Sequence, residues 1–151
     1  MSEGRTWLLL AYKVPREPSS GRVYVWRKLK KLGAAALQDA VWVLPNTPQT
    51  LEQFRWLAAE ISEMDGEVSL WESRHLLDGQ EAQLVKQFHE MVEGSYRQIL
   101  AALKRKRPDL AALVREYKQV LAQDYFRCEL GEQAREALLA ARAGVDREES
   151  E

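Results

Sequence analysis

Seven lysine and arginine side chains between residues 13 and 31 are the residues of this sequence best suited to bind an anionic ligand. Ammonium and guanidinium groups bind phosphate oxygens through charge-assisted hydrogen bonds, and arginine can form two such bonds in parallel. Clustered cations with few neighbouring acids are typical of surfaces that bind nucleic acid. The predicted binding residues are Lys13, Arg16, Arg22, Arg27, Lys28, Lys30 and Lys31.

The simplest alternative for the cations at residues 27–31 is a solvated helix face, since charge runs are common on soluble proteins. Lys13, Arg16 and Arg22 favour phosphate contact, because they lie at the adjoining strand end and helix start. A second basic run, Lys104–Arg107, follows another predicted helix, where a favourable interaction with the helix dipole explains it. The predicted site is therefore the amino-terminal group.

The charge of the chain is unevenly distributed, although the net charge is only -1. Residues 1–45 hold eight basic against three acidic residues, a net +5, and residues 46–103 hold four against ten, a net −6. This asymmetry permits one basic surface on a nearly neutral molecule. The composition, with 46% hydrophobic and 30% charged residues, is that of a soluble globular protein.

Several features predict a cytoplasmic protein with no membrane partner. The single cysteine, Cys128, excludes an internal disulfide and suits a reducing compartment. No apolar stretch approaches the roughly 18 residues that span a bilayer, and the first residues lack a signal-peptide pattern.

The sequence offers no recognised catalytic or metal-binding pattern. His75, His89 and Cys128 have no metal-ligand spacing, and no nucleophile triad, phosphate-binding loop or dinucleotide fingerprint occurs. A metal-dependent nuclease would need an acid at the end of the first strand, but that strand ends at Tyr12-Lys13. We therefore predict no enzymatic activity, no metal and no cofactor.

Five tryptophans, at positions 7, 26, 42, 56 and 71, are able to stack on nucleic-acid bases. Their positions on predicted strands and helix stripes instead indicate core packing. Trp26 and Trp56 are the tryptophans expected to be partly exposed, because each lies beside an apolar stripe and not within it.

The amino-terminal cations must be positioned by a small sheet and its helices. Helical spacing turns Val25, Leu29 and Leu32 toward a core and leaves Arg27, Lys30 and Lys31 on another face. The hydrophobic patterns and turn signals predict strands at about 7–14, 35–38, 40–44 and 68–72 and helices at about 20–33 and 48–65. This order is the ferredoxin-like βαββαβ order.

After Arg74 the hydrophobic period is helical throughout. We predict an α+β protein: a ferredoxin-like domain over residues 1–75, then a helical extension of about three helices over 76–144, packed on or beside it. The last helix is predicted over Glu132–Ala143, followed by an acidic disordered tail over 145–151.

Three stretches of the sequence resemble the N-terminal domain of ChrB, the bacterial chromate-resistance regulator: WLLLAYKVPREPSSGRVYVWRKLKKLGA, LQDAVWVLPNTPQTLEQFRWLAAEI and GEVSLWES. The likeness continues more weakly to DYFRCELGEQAREALLAA, so that it covers essentially the whole chain. It implies a dimeric, DNA-binding transcriptional regulator of a chromate-efflux operon. Members of that family carry a second, C-terminal domain associated with the chromate response, which we expect this chain to lack. The strand–basic helix–hairpin block is also faintly similar to the CRISPR-associated ferredoxin-like nuclease subunit.

The leading hypothesis is thus a regulator of a chromate or other metal or oxyanion resistance operon, whose homodimer binds a palindromic operator in double-stranded DNA. The alternative is a protein-interaction or dimerisation module, or half of a split regulator whose sensor domain is encoded separately. A metal-dependent nuclease is the least favoured reading, because Lys13 stands where it needs an acid.

Overall fold

The computed structural model describes residues 5–150, with side chains through residue 148, and has a four-stranded antiparallel sheet and five helices in that range. The predicted α+β class is confirmed. The elements are β1 (Trp7–Lys13), α1 (Ser20–Leu32), β2 (Ala35–Gln38), β3 (Val41–Pro45), α2 (Pro48–Glu63), β4 (Glu67–Ser73), α3 (Gln80–Leu103), α4 (Leu110–Gln123) and α5 (Glu129–Ser150). None of the described helices is long and apolar enough to cross a membrane.

The chain divides into two units, the first ending at Glu81 and the second beginning at Ala82. The first contains the whole sheet, in the strand order β2-β3-β1-β4. Strand β1 is central and pairs antiparallel with β3 and β4, so that Leu10 lies opposite both Trp42 and Leu70. Lys13, the last residue of β1, lies opposite Glu67. The first predicted site residue is therefore held at the end of the central strand.

Helix α1 is fixed by its buried side and by its carboxyl end. Val25 and Leu29 are fully buried, as the helical spacing predicts. Gly33 has φ 75 and donates its backbone N–H to the carbonyls of Leu29 and Lys30. Glycine adopts this left-handed conformation without strain, so the helix ends at the predicted position.

Helix α2 begins with the predicted cap. Thr47 Oγ1 accepts the backbone N–H of Thr50 at 3.1 Å, and Thr50 Oγ1 accepts the backbone N–H of Thr47 at 2.9 Å, while Pro48 occupies the first turn. After the helix, a Cβ on Gly66 would lie 2.9 Å from the carbonyl oxygen of Lys13. Glycine at this position thus lets the chain approach the end of β1 closely.

The second unit has a core of its own. The buried residues of this core are Val92, Tyr96, Ile99, Leu113, Val120, Cys128, Ala134 and Leu138. Helix α5 continues to Ser150, beyond the predicted end at Ala143 and into the segment predicted as an acidic tail over 145–151. Arg147 and Glu148 in this segment favour a helix, whereas Gly144, Val145 and Asp146 have low helix propensity. Glu151 lies outside the described residues.

Candidate nucleic-acid interface

An open groove of about 790 Å³ lies in the first unit, where the end of β1, the following loop, α1 and the β2–β3 turn meet. Four of the seven predicted cations line it, together with polar and apolar side chains. The lining residues are Lys13, Arg16, Arg22 and Arg27, then Ser19 and Asp39, then Tyr12, Val14, Val23, Trp26 and Ala40. The groove thus combines concentrated positive charge with an apolar lining.

Each wall of the groove is held by backbone structure. The backbone N–H of Tyr12 donates to the carbonyl of Ala40 at 3.0 Å, which ties the hairpin turn to the end of β1. The first turn of α1 is closed by a bond from the Val23 N–H to the Ser19 carbonyl at 3.2 Å. Because Val25 is buried on the opposite side of α1, the helix presents its exposed side to the groove.

The four groove cations are exposed, and within the described part of the chain none of them forms an ion pair. Asp39 also lines the groove, and Glu67 is in register with Lys13, yet neither carboxylate comes within ion-pairing distance. Ion pairs among the described residues include Arg5–Glu81, Arg97–Glu93 and Arg135–Glu132, none of which lines the groove. The groove therefore keeps positive charge that an anionic ligand can neutralise.

The three remaining predicted cations are distributed around α1. Lys30 Nζ lies 5.6 Å from the ring centre of Trp26 and so adjoins the groove. Lys28 is half-buried, with its Nζ 5.7 Å from the ring centre of Tyr24, which does not line the groove. Lys31 is exposed and also lies outside the lining. The groove thus contains cations from the end of β1, the following loop and the start and middle of α1. Lys28 and Lys31 lie outside its lining.

Two tyrosines next to these cations stay protonated. Burial raises the pKa of the Tyr12 hydroxyl in the groove, against the opposing effect of the positive charge on Arg22. The Tyr24 hydroxyl donates a hydrogen bond to Glu60 of α2, and this bond raises the pKa of Tyr24. Neither hydroxyl therefore adds negative charge near the predicted binding residues at neutral pH.

The tryptophans separate into two buried and three exposed side chains. Trp7 and Trp42 are in the core, whereas Trp26, Trp56 and Trp71 are 51%, 67% and 60% exposed. The predicted exposure of Trp26 and Trp56 is confirmed. The expectation of core packing is wrong for Trp71, which lies on β4, an edge strand of the sheet, and is exposed to solvent.

Sequence reasoning did not assign Trp26, Tyr12 or Asp39 to the site. A signal for Trp26 was present, because it stands four residues after Arg22 and four before Lys30, and such residues share one side of a helix. Tyr12 and Asp39 join the groove through strand pairing and the hairpin turn, which residue spacing along the chain does not reveal.

The other chemically capable residues of the sequence lie apart from the groove. His75 packs edge-on against Trp7, with ring centres 5.8 Å apart. A ring nitrogen of His89 lies 3.2 Å from the Phe126 carbonyl, and Cys128 is buried in the second unit. Among the side chains that the structure describes, no three from His, Cys, Asp or Glu are placed to hold a metal ion.

Comparison with known proteins gives two matches. Residues 22–135 match the family described as Protein ChrB, N-terminal. An alignment of 87 residues is 36% identical to Protein ChrB of Cupriavidus metallidurans (strain ATCC 43123 / DSM 2839 / NBRC 102507 / CH34) and covers 58% of this chain. It covers 27% of that relative, so the chain matches only about a quarter of the relative's length.

Proposed function

The chain belongs to the family of ChrB N-terminal domains, and on that premise we propose that it binds double-stranded DNA as a transcriptional regulator. The family is associated with regulation of chromate resistance, so the proposed target is the operator of an operon for resistance to chromate or another oxyanion. The observation that carries the proposal is the groove, in which Lys13, Arg16, Arg22 and Arg27 are exposed and without ion pairs in the described part of the chain.

The chemistry of these side chains fits a phosphodiester backbone. An arginine guanidinium group can donate two parallel N–H bonds to two phosphate oxygens, and a lysine ammonium group adds a localised positive charge. Each phosphate contact releases condensed counterions from DNA, so affinity should fall steeply as salt rises. Such contacts fix the position of the protein on the duplex, while base contacts supply sequence preference.

Three further parts of the proposal concern architecture. We infer a ferredoxin-like arrangement, supported by the βαββαβ order and the strand order β2-β3-β1-β4. A homodimer would present two grooves to a palindromic operator. A separately encoded sensor domain would supply the response to an effector.

We also propose that the chain acts in the cytoplasm by binding and not by catalysis. The nuclease reading needs a metal-binding acid at the end of the first strand. That position holds Lys13, whose exposed ammonium group lines the groove and repels a divalent cation.

The proposal is tested by fluorescence anisotropy with a labelled duplex of about 25 base pairs at about 50 mM salt. The test variant is Arg22→Glu/Arg27→Glu, which reverses two groove charges. The matched control is Arg115→Glu/Arg142→Glu, which changes the same charge at exposed positions on α4 and α5.

We expect the groove variant to bind on the order of 100-fold more weakly, because it loses two phosphate contacts and gains repulsion. The control should remain within about 3-fold of the wild type, and both variants should keep the wild-type unfolding midpoint. Equal losses in the two variants would show that only net charge matters. No binding by the folded wild type would favour a protein-interaction module instead.

A further inference from the structure

Trp26 adds an exposed aromatic surface to the groove, which phosphate binding alone does not require. The side chain is 51% exposed and lines the groove together with Val14, Val23 and Ala40. A duplex backbone would satisfy the surrounding cations but would leave this aromatic and apolar surface uncovered. The flat face of an unpaired base is the part of a nucleic acid that covers such a surface well.

The indole ring is also held in place before any ligand binds. Lys30, one helical turn later, places its Nζ 5.6 Å from the ring centre, which is within range of a cation–π interaction. This contact restrains the side chain and lowers the entropy lost on stacking. Arg22 lies one turn earlier on the same side of α1, so a phosphate-binding group adjoins the ring.

We propose that Trp26 stacks on an unpaired base, so that the groove binds a single-stranded or extruded nucleotide while the neighbouring cations bind its phosphates. This inference rests on the proposed function, because it uses the same cations. It adds a ligand class, an unstacked nucleotide, that contact with a duplex backbone does not include. The volume of about 790 Å³ is in the range of pockets that hold ligands of this size.

The chain provides a matched control for this proposal. Trp56, on α2, is 67% exposed but does not line the groove. Trp26→Ala and Trp56→Ala therefore remove the same side chain from two exposed helix positions, only one of which adjoins the cations. Trp26→Phe keeps an aromatic face and should retain most of the stacking.

The experiment measures the Kd of each variant for three DNAs of one sequence: a duplex, the same duplex with a one-nucleotide bulge, and the single strand. The informative quantity is the ratio of the variant Kd to the wild-type Kd for each DNA. For Trp26→Ala we expect a ratio of about 10 with an unpaired base present, since stacking on one base contributes about 5- to 150-fold to affinity. The ratio for the duplex should stay within about 2-fold.

A base analogue such as 2-aminopurine at the bulge supplies an independent signal, because its fluorescence is quenched when it stacks. Quenching should occur with the wild type and Trp56→Ala and be lost with Trp26→Ala. A large ratio with the bulge alone would identify an extruded base as the ligand, and a large ratio with the single strand would identify unpaired strands.

A Trp26→Ala ratio that is the same for all three DNAs, or that Trp56→Ala reproduces, would overturn the stacking proposal. If duplex binding still depends on Arg22 and Arg27 in that case, the proposed function stands without it. If the wild type binds none of the three DNAs, both proposals fail.

Discussion

The two units of this protein use charged and aromatic residues in opposite ways. In the groove of the first unit, Arg22, Arg27 and Trp26 are exposed. In the second unit, Asp124 is only 5% exposed, and its Oδ2 accepts bonds from the Tyr96 hydroxyl at 2.9 Å and the Cys128 N–H at 3.1 Å. A buried and satisfied polar group stabilises a fold, whereas exposed cations without ion pairs are available to a ligand.

The titration behaviour of the second unit agrees with a structural role. Burial and the bond to Asp124 raise the pKa of Tyr96 far above its usual value. Burial also raises the pKa of the Cys128 thiol, so the reactive thiolate is disfavoured. We therefore expect changes around Asp124 to affect stability, and changes in the groove to affect binding.

The largest effect on stability should come from Asp124→Ala. This change leaves the Tyr96 hydroxyl and the Cys128 N–H buried without their acceptor, at a cost of about 3 kcal/mol in the free energy of unfolding. Urea denaturation measures it, with Asp146→Ala as the control because Asp146 is an exposed acid on α5. If the two variants lose the same amount, Asp124 has no special role.

Gly131→Ala should disturb the same contact by sterics. A Cβ at Gly131 would lie 2.8 Å from Cζ and 2.9 Å from the hydroxyl oxygen of Tyr96, so the ring that donates to Asp124 or the helix backbone must shift. We expect a loss of about 2 kcal/mol, typical of overpacking. Gly144→Ala, in α5 with nothing within 4 Å of the added Cβ, should cost nothing or stabilise. Equal stability of the two variants would contradict the contact.

The pH dependence of the free energy of unfolding provides a third test of the structural role of the second unit. Because the pKa of Tyr96 in the folded state lies above its usual 10.0, the unfolded chain loses this proton first as pH rises. The stabilisation by neutral Tyr96 is complete below about pH 10 and decreases above it, by at most about 1.4 kcal/mol per pH unit. Tyr96→Phe should therefore flatten the decline above about pH 10 in urea unfolding. If the free energies of unfolding of the wild type and the variant decline in parallel as pH rises, the raised pKa of Tyr96 is contradicted.

The smallest effect concerns the acid in the groove. Asp39→Asn removes an exposed carboxylate that repels phosphate, so duplex affinity should rise about two- to threefold at low salt. Asp78→Asn removes an exposed acid that does not line the groove and should change affinity less. A loss of affinity in Asp39→Asn would mean that this carboxylate contacts the ligand favourably.

Local signals in the sequence predicted most of the first unit. Gly33 ends α1 because glycine adopts its φ of 75 without strain. Thr47 before Pro48 starts α2, because its side chain accepts the backbone N–H of Thr50. These interactions join residues within one helical turn, so residue types at fixed spacing reveal them. The end of α5 was not predicted, because Gly144, Val145 and Asp146, which follow the predicted end at Ala143, have low helix propensity.

The arrangement of the site was only partly predictable, because it depends on contacts between distant residues. The Tyr24 hydroxyl binds Glu60, 36 residues away, and Lys28 lies over the Tyr24 ring, away from the groove. Arg27, the adjacent residue, lines the groove. Spacing along α1 indicates which residues share a side of the helix, but the side that meets the strand end follows from tertiary packing.

The most direct test of the central claim is the salt dependence of duplex binding by the wild type and by Arg22→Gln/Arg27→Gln. If both guanidinium groups contact phosphates, neutralising them should reduce the magnitude of the slope of log K against log salt concentration by about 1.8 for each bound protomer, since each contact contributes about 0.9. A variant that binds with the wild-type slope would contradict the claim that these groove cations bind the DNA backbone.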